Sequence, residues 1–137
     1  MTTQENVKLV RQMFDAWNAH DPDRLLKLID EKYVSESDTH PGARTGREPA
    51  RQFMATYIKA FPDLHLDIAQ VIAEGDFVVA RWTATGTHRR ELMGIAPTNR
   101  RVVTNGCSVT QLRNGKATHE WNYWDTGHLL RQLGVLK

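Results

Sequence analysis

Near the end of the chain His119, Trp121, Tyr123 and Asp125 stand two residues apart, a spacing suited to chemistry on a small molecule. In a β-strand that spacing puts all of them on one face, and Glu120, Asn122 and Trp124 on the other. Two aromatic rings beside a terminal carboxyl make the kind of wall a substrate site has, apolar with one titratable group. Asp125 is therefore the first candidate for proton transfer. An ordinary aspartate titrates near 4, so Trp121, Tyr123 and Trp82 would have to enclose it and raise it toward neutrality. The plain alternative is that Asp125 caps the helix that follows or pairs with an arginine.

Two earlier runs supply further candidates. From Phe77 to His88 the less polar alternation set is Val78, Ala80, Trp82, Ala84, Gly86 and His88, which is assigned to the inside. Ala84 and Gly86 would leave room there for a ligand, and a bulge at Gly86 would reverse the faces beyond it. From Arg101 to Leu112 the more apolar set is Val103, Asn105, Cys107, Val109 and Gln111, which makes Asn105 and Gln111 isolated polar groups inside and puts Thr104, Ser108 and Thr110 opposite. His88, at a strand end, can donate to a carbonyl, shuttle a proton or simply bind water at a rim. Asp63 and His65 follow Pro62 and either set up a turn or line the pocket mouth. Tyr57 and Tyr33 can present phenols to a substrate or sit in the core with their hydroxyls satisfied, and His40 falls in a loop where solvation is expected.

Metal chemistry is disfavoured, because the six histidines lack a paired helical spacing and the single thiol, Cys107, stands alone. No cofactor motif is present either. Arg89, Arg90, Arg100 and Arg101 read as a solvated basic rim that could also hold an anionic tail, and four arginines do not make a nucleic-acid surface.

The elements that position these residues follow from periodicity. Val7, Val10, Met13, Phe14 and Trp17 recur at helical steps, and Asp21-Pro22 caps a second short helix carrying Leu25, Leu26, Leu28 and Ile29. Tyr33 to Ser37 reads as a short strand and Thr39 to Arg44 as a loop. A third helix with Phe53, Met54, Tyr57 and Phe61 inward ends before Pro62. Alternation then takes over from Leu64, with turns at Glu74-Gly75-Asp76 and Asn114-Gly115 joining two hairpins. Thr126 is expected to cap a last helix that closes at Gly134. Helices gathered on one face of a curved antiparallel sheet give an α+β cone, a single domain spanning residues 1–137 around an apolar pocket.

Composition agrees with one globular core: 40% hydrophobic and 25% charged residues, with a net charge of only +2, which points to no nucleic-acid partner. The single cysteine excludes an intrachain disulfide, and neither a leader nor a membrane-length apolar run is seen, so a cytoplasmic protein without a membrane partner is expected.

In one order along the chain run Phe61-Pro62-Asp63-Leu64-His65, Gly86-Thr87-His88, Gly94-Ile95-Ala96-Pro97-Thr98, Gly115-Lys116, Trp121 to Asp125 and Gln132-Leu133-Gly134. In these motifs the chain resembles the SnoaL-like polyketide cyclases of the nuclear-transport-factor-2-like superfamily, from about Val7 to Gly134. The resemblance implies a cone fold and a cofactor-free aldol ring closure on a hydrophobic carbonyl substrate. It also implies a pocket aspartate at the end of the last long strand, matched here by Asp125, as general acid and base. His88 and Gln111 are then the groups that polarise the carbonyl. Trp82, Asn105, Cys107, Trp121, Tyr123, Tyr57 and His65 would line the substrate site. Epoxide hydrolysis, which relatives of this fold carry out with an Arg flanked by two Asp, lacks its triad here, since Thr83 stands two residues after Arg81. The competing reading is a non-catalytic binding or dimerisation module, with the outer sheet face, Trp124 included, forming a homo-oligomer.

Overall fold

The computed structural model describes residues 2–137. Two helices, α1 (Thr3–Asn18) and α2 (Pro22–Leu26), lead into strands β1 (Ile29–Ser37) and β2 (His40–Thr45). Helix α3 (Arg47–Ala60) precedes four long strands, β3 (His65–Glu74), β4 (Phe77–Thr87), β5 (Arg101–Arg113) and β6 (Lys116–Trp124), and α4 (Thr126–Gln132) closes the chain. Each boundary has a local cause. The Thr2 hydroxyl caps α1 at Glu5 N–H, Asp21 caps α2 ahead of Pro22, and α3 stops at Phe61 before Pro62. The segment expected as a loop, from Thr39 to Arg44, instead forms β2, paired antiparallel with β1.

The strands make one sheet in the order β2-β1-β6-β5-β4-β3. All pairs are antiparallel except β1 with β6, so the sheet is mixed rather than wholly antiparallel. Register shifts bend it, one in β3 between Ile68 and Gln70 and one where Gln111 and Leu112 meet His119 and Ala117. The concave face is closed by α1 and α3 through a core that includes Val10, Met13, Phe14, Met54, Ala80 and Trp82. A second cluster, with Phe61, Leu92, Val102, Leu129 and Leu133, shuts one end with α4 and the loop after β4. This is the α+β cone.

Two glycines allow aromatic rings to lie flat on the sheet. A Cβ at Gly106 would come within 2.3 Å of the Trp82 ring, and one at Gly86 would press on Phe61 at 3.0 Å. No helix is long and apolar enough to cross a membrane.

Candidate active site

On β4 the inward face is as the alternation requires. Val78, Ala80, Trp82 and Gly86 are buried, and the strand pairs without a bulge from Phe77 to Thr87. On β5 and β6 the inward face is the opposite of the one expected. Val102, Thr104, Ser108, Thr110 and Leu112 are buried on β5, while Val103 is exposed. On β6, Glu120, Asn122 and Trp124 line the cavity and Tyr123 is 49% exposed. The extra residue Thr118, between pairs Leu112–Ala117 and Gln111–His119, accounts for β6. Ala117 is fully buried, and one inserted residue reverses the parity, so inward positions beyond it are even-numbered.

The cavity, about 130 Å³, has room for about four water molecules at their liquid volume. Its walls are apolar, from Phe14, Trp17, Phe53, Leu66, Trp82 and Trp124. Against them stands a compact polar group built from five adjacent strands, β2, β1, β6, β5 and β4. The Tyr33 hydroxyl on β1 donates to Glu120 Oε2 on β6. Trp82 Nε1 donates to Ser108 Oγ at 2.9 Å, and Ser108 Oγ donates to Asn122 Oδ1 at 2.7 Å. Ser35 accepts from Arg44 Nη2 at 3.2 Å.

The surface that Glu120 exposes faces this cavity. Burial pushes its carboxyl up from the ordinary value, and the donors at Tyr33, Asn122 and Thr110, with the charge of Arg44, pull it partly back. Burial, then the neighbouring Glu120, holds the Tyr33 phenol well above its usual range, so it remains the donor of the pair. A carboxylate of raised basicity facing a largely apolar cavity can accept a proton from a bound molecule.

A second polar pair sits toward β2. His40 Nε2 meets the Tyr57 hydroxyl at 2.6 Å, and both rings pack against Phe53. His40, expected to be solvated, is thus built into the wall behind the pocket. Burial and then Arg44 lower its pKa, whereas burial raises that of Tyr57.

Of the residues singled out from the sequence, Trp82, Tyr57, Tyr33, Ala84 and Gly86 line the cavity. Asp125 is exposed, its carboxylate accepting at 2.9 Å from His128 N–H as the cap of α4. Asn105 is bonded to Thr83 on the convex face, and Cys107, Gln111, Trp121 and Tyr123 share that face. His65 is exposed and bonded to Asp67. His88 is inward but fully buried behind Phe61, its Nδ1 accepting from Thr98 N–H at 3.2 Å. Trp124, expected outside, lines the cavity. The residues that the alternation missed, Glu120, Asn122 and Ser108, carried the signal that Asn105 and Gln111 would otherwise be unpartnered polar groups in a core. Among the described residues no three His, Cys, Asp or Glu side chains converge as metal ligands would.

Comparison with known proteins places this geometry. Residues 7–133 match the family of SnoaL-like polyketide cyclases. The aklanonic acid methyl ester cyclase AcmA of Streptomyces galilaeus is 27% identical over 95% of this chain and 91% of its own. Among solved structures, AclR from Streptomyces galilaeus, described as a candidate hydroxylase, is 31% identical with a TM-score of 0.88, over 98% of this chain and 84% of its own. IdmH from Streptomyces antibioticus, described as a candidate polyketide cyclase, is 28% identical with a TM-score of 0.82, over 95% and 99%. The family match and the cyclase relatives support a polyketide cyclase role, and the chain belongs to the SnoaL-like polyketide cyclase family.

Proposed function

We propose that the cavity closes a ring on a hydrophobic, polyketide-like carbonyl compound, using acid/base groups of this chain and with Glu120 as the base. The observation that carries the reading is the Glu120 carboxyl, raised by burial and facing an apolar cavity. In the reaction, Glu120 takes a proton from carbon next to one carbonyl, leaving an enolate. The enolate carbon attacks a second carbonyl of the same molecule, a carbon–carbon bond forms, and the alkoxide takes the proton back from Glu120. Protons and electrons balance without a further reagent. Tyr33 holds the carboxylate in place, and Trp82, Phe53 and Trp124 exclude water from the enolate.

Asp125, the base implied by sequence resemblance, is exposed and engaged in a helix cap, which is why Glu120 is preferred. The test uses α-tetralone, a bicyclic ketone, in D2O, with exchange of its α-protons followed by NMR. Exchange accelerated by the protein, lost in Glu120→Gln and kept in Asp125→Asn, supports the reading. Loss only in Asp125→Asn overturns the assignment of the base. Aklanonic acid methyl ester, which the name of the Streptomyces galilaeus relative gives as a substrate, is the first compound to assay for ring closure.

We further infer a second copy of the chain on the convex face. Ile72, Phe77, Val103 and Tyr123 are 40–57% exposed on that side, and the Phe77 and Trp121 rings lie 6.5 Å apart. Exposed apolar side chains gathered on one sheet face can pack on the same face of a second copy about a two-fold axis.

A further inference from the structure

Three donors and acceptors in the cavity wall are arranged in a chain whose direction chemistry determines. Indole N–H is a donor only, so Trp82 must give its proton to Ser108 Oγ, at 2.9 Å. Ser108 is buried, and Asn122 Oδ1 at 2.7 Å is the acceptor for its hydroxyl proton. Rotating the Asn122 amide by half a turn would leave that hydroxyl proton without an acceptor. It would also turn Oδ1 toward Glu120, which stands two residues before Asn122 on the same face of β6. The chain therefore holds the amide with its Nδ2 protons toward Glu120 and the cavity. We propose that Asn122 is the hydrogen-bond donor to the substrate's carbonyl oxygen as it becomes an enolate, and that Ser108 and Trp82 are positioning residues that set the orientation of its amide.

The proposal rests on the reading of Glu120 as the base. One strand then supplies both parts of an enolisation: a carboxylate for the carbon-bound proton and, two residues on, an amide for the oxygen that gains charge. The Asn122 amide is also among the donors that draw the Glu120 pKa down. Gly106 belongs to the same device, because a side chain there would displace the Trp82 ring from the path to Ser108.

The test has two arms. In the first, Glu120 is titrated by carboxyl carbon NMR in the wild type, Ser108→Ala, Asn122→Ala and the double variant. Each single change should raise the Glu120 midpoint, and the double variant should rise no further than Asn122→Ala alone, because Ser108 acts through Asn122. Ser108→Thr, which keeps the hydroxyl, should restore the wild-type titration and guards against a misfolded Ser108→Ala. An unchanged midpoint in Ser108→Ala, or additive shifts, overturns the positioning role.

In the second arm, affinity for α-tetralone and for tetralin, which lacks the carbonyl, is measured by calorimetry. Asn122→Ala should weaken tetralone by about fivefold to tenfold and leave tetralin unchanged. Equal losses for both, or none, overturn the donor role. Tetralone exchange that survives Glu120→Gln would remove the base, whereas the affinity difference still reports on Asn122, so the two failures are distinguishable.

Discussion

The phenol of Tyr33 on β1 donates to the carboxylate of Glu120 on β6, linking residues 87 apart in sequence. The parallel pairing of the two strands sets Ser35 beside Glu120 and so brings Tyr33, on the same face, to the carboxylate. The bond has two effects. It orients the carboxylate, and it opposes the rise in pKa that burial imposes.

Tyr33→Phe removes this donor and changes little else in volume. The Glu120 pKa should rise further, so the acidic limb of the tetralone exchange profile moves to higher pH. The rate on the plateau should fall by about tenfold as the carboxylate loses its fixed direction. A pH–rate profile of the Phe variant against the wild type measures both, and an unmoved limb would separate Tyr33 from the base.

Glu120→Gln should make the protein more stable while it abolishes exchange. A carboxyl whose folded pKa is raised above its ordinary 4.5 contributes full stability only at low pH. That contribution declines as pH rises through the folded pKa, because the buried group must ionise. A neutral amide escapes this cost and can still accept from Tyr33. The gain at neutral pH should be about 1 kcal/mol, read as a higher midpoint in urea and vanishing toward pH 4. A variant less stable than wild type at pH 7 would mean that the Tyr33 bond outweighs the cost of burying the charge.

The same cost explains what was legible in the sequence and what was not. Helices α1 and α3, the hairpin turns and the facing of β4 follow from periodicity, because one side of each faces a core and the other side water. Strands β5 and β6 violate that premise on both sides. Their concave face carries Thr110 and also Ser108, Glu120 and Asn122, the last three partnered among themselves or by Tyr33 and Trp82, while their convex face carries Val103, Val109, Trp121 and Tyr123. A rule that puts apolar residues inside therefore selects the wrong face. The inserted Thr118 adds to this, since reading inward from buried Ala117 by twos arrives at His119, Trp121 and Tyr123. Of the polar groups that defeat the rule, Ser108, Glu120 and Asn122 line the cavity.

The full burial of His88 beside Phe61 suits a contribution to stability. Burial lowers its pKa below the ordinary 6.5, and its Nδ1 must stay unprotonated to accept from Thr98 N–H. Stability from this neutral ring is complete above 6.5 and is lost as pH falls through the lower folded pKa, where the unfolded chain binds a proton that the folded one refuses. His40, lowered by burial and by Arg44, acts in the same direction. Chemical denaturation at pH 7.5 and 5.5 should show the wild type losing more, or gaining less, toward acid than His88→Gln, because the opposing contribution of Glu120 is common to both. Tetralone exchange should be unchanged in that variant, since Phe61 separates His88 from the cavity. A large fall in exchange at constant stability would return His88 to the catalytic machinery.

The convex face offers the last test, and the inverted facing of β6 sharpens it. With Trp124 turned into the cavity, the aromatic surface available outside is Trp121, stacked on His119 at 3.8 Å between ring centres, with Phe77 and Tyr123 near it. His119 is held in turn by Glu36 at 2.5 Å, so the stack is fixed in place before any partner arrives. A preorganised aromatic surface is what an interface centre needs. Tyr123→Asp places a charge in that centre and contacts nothing in the cavity. It should convert a dimer into a monomer in light scattering while leaving the circular dichroism of the fold intact. A wild-type protein that is already monomeric at micromolar concentration would remove the inferred partner and leave the concave site untouched.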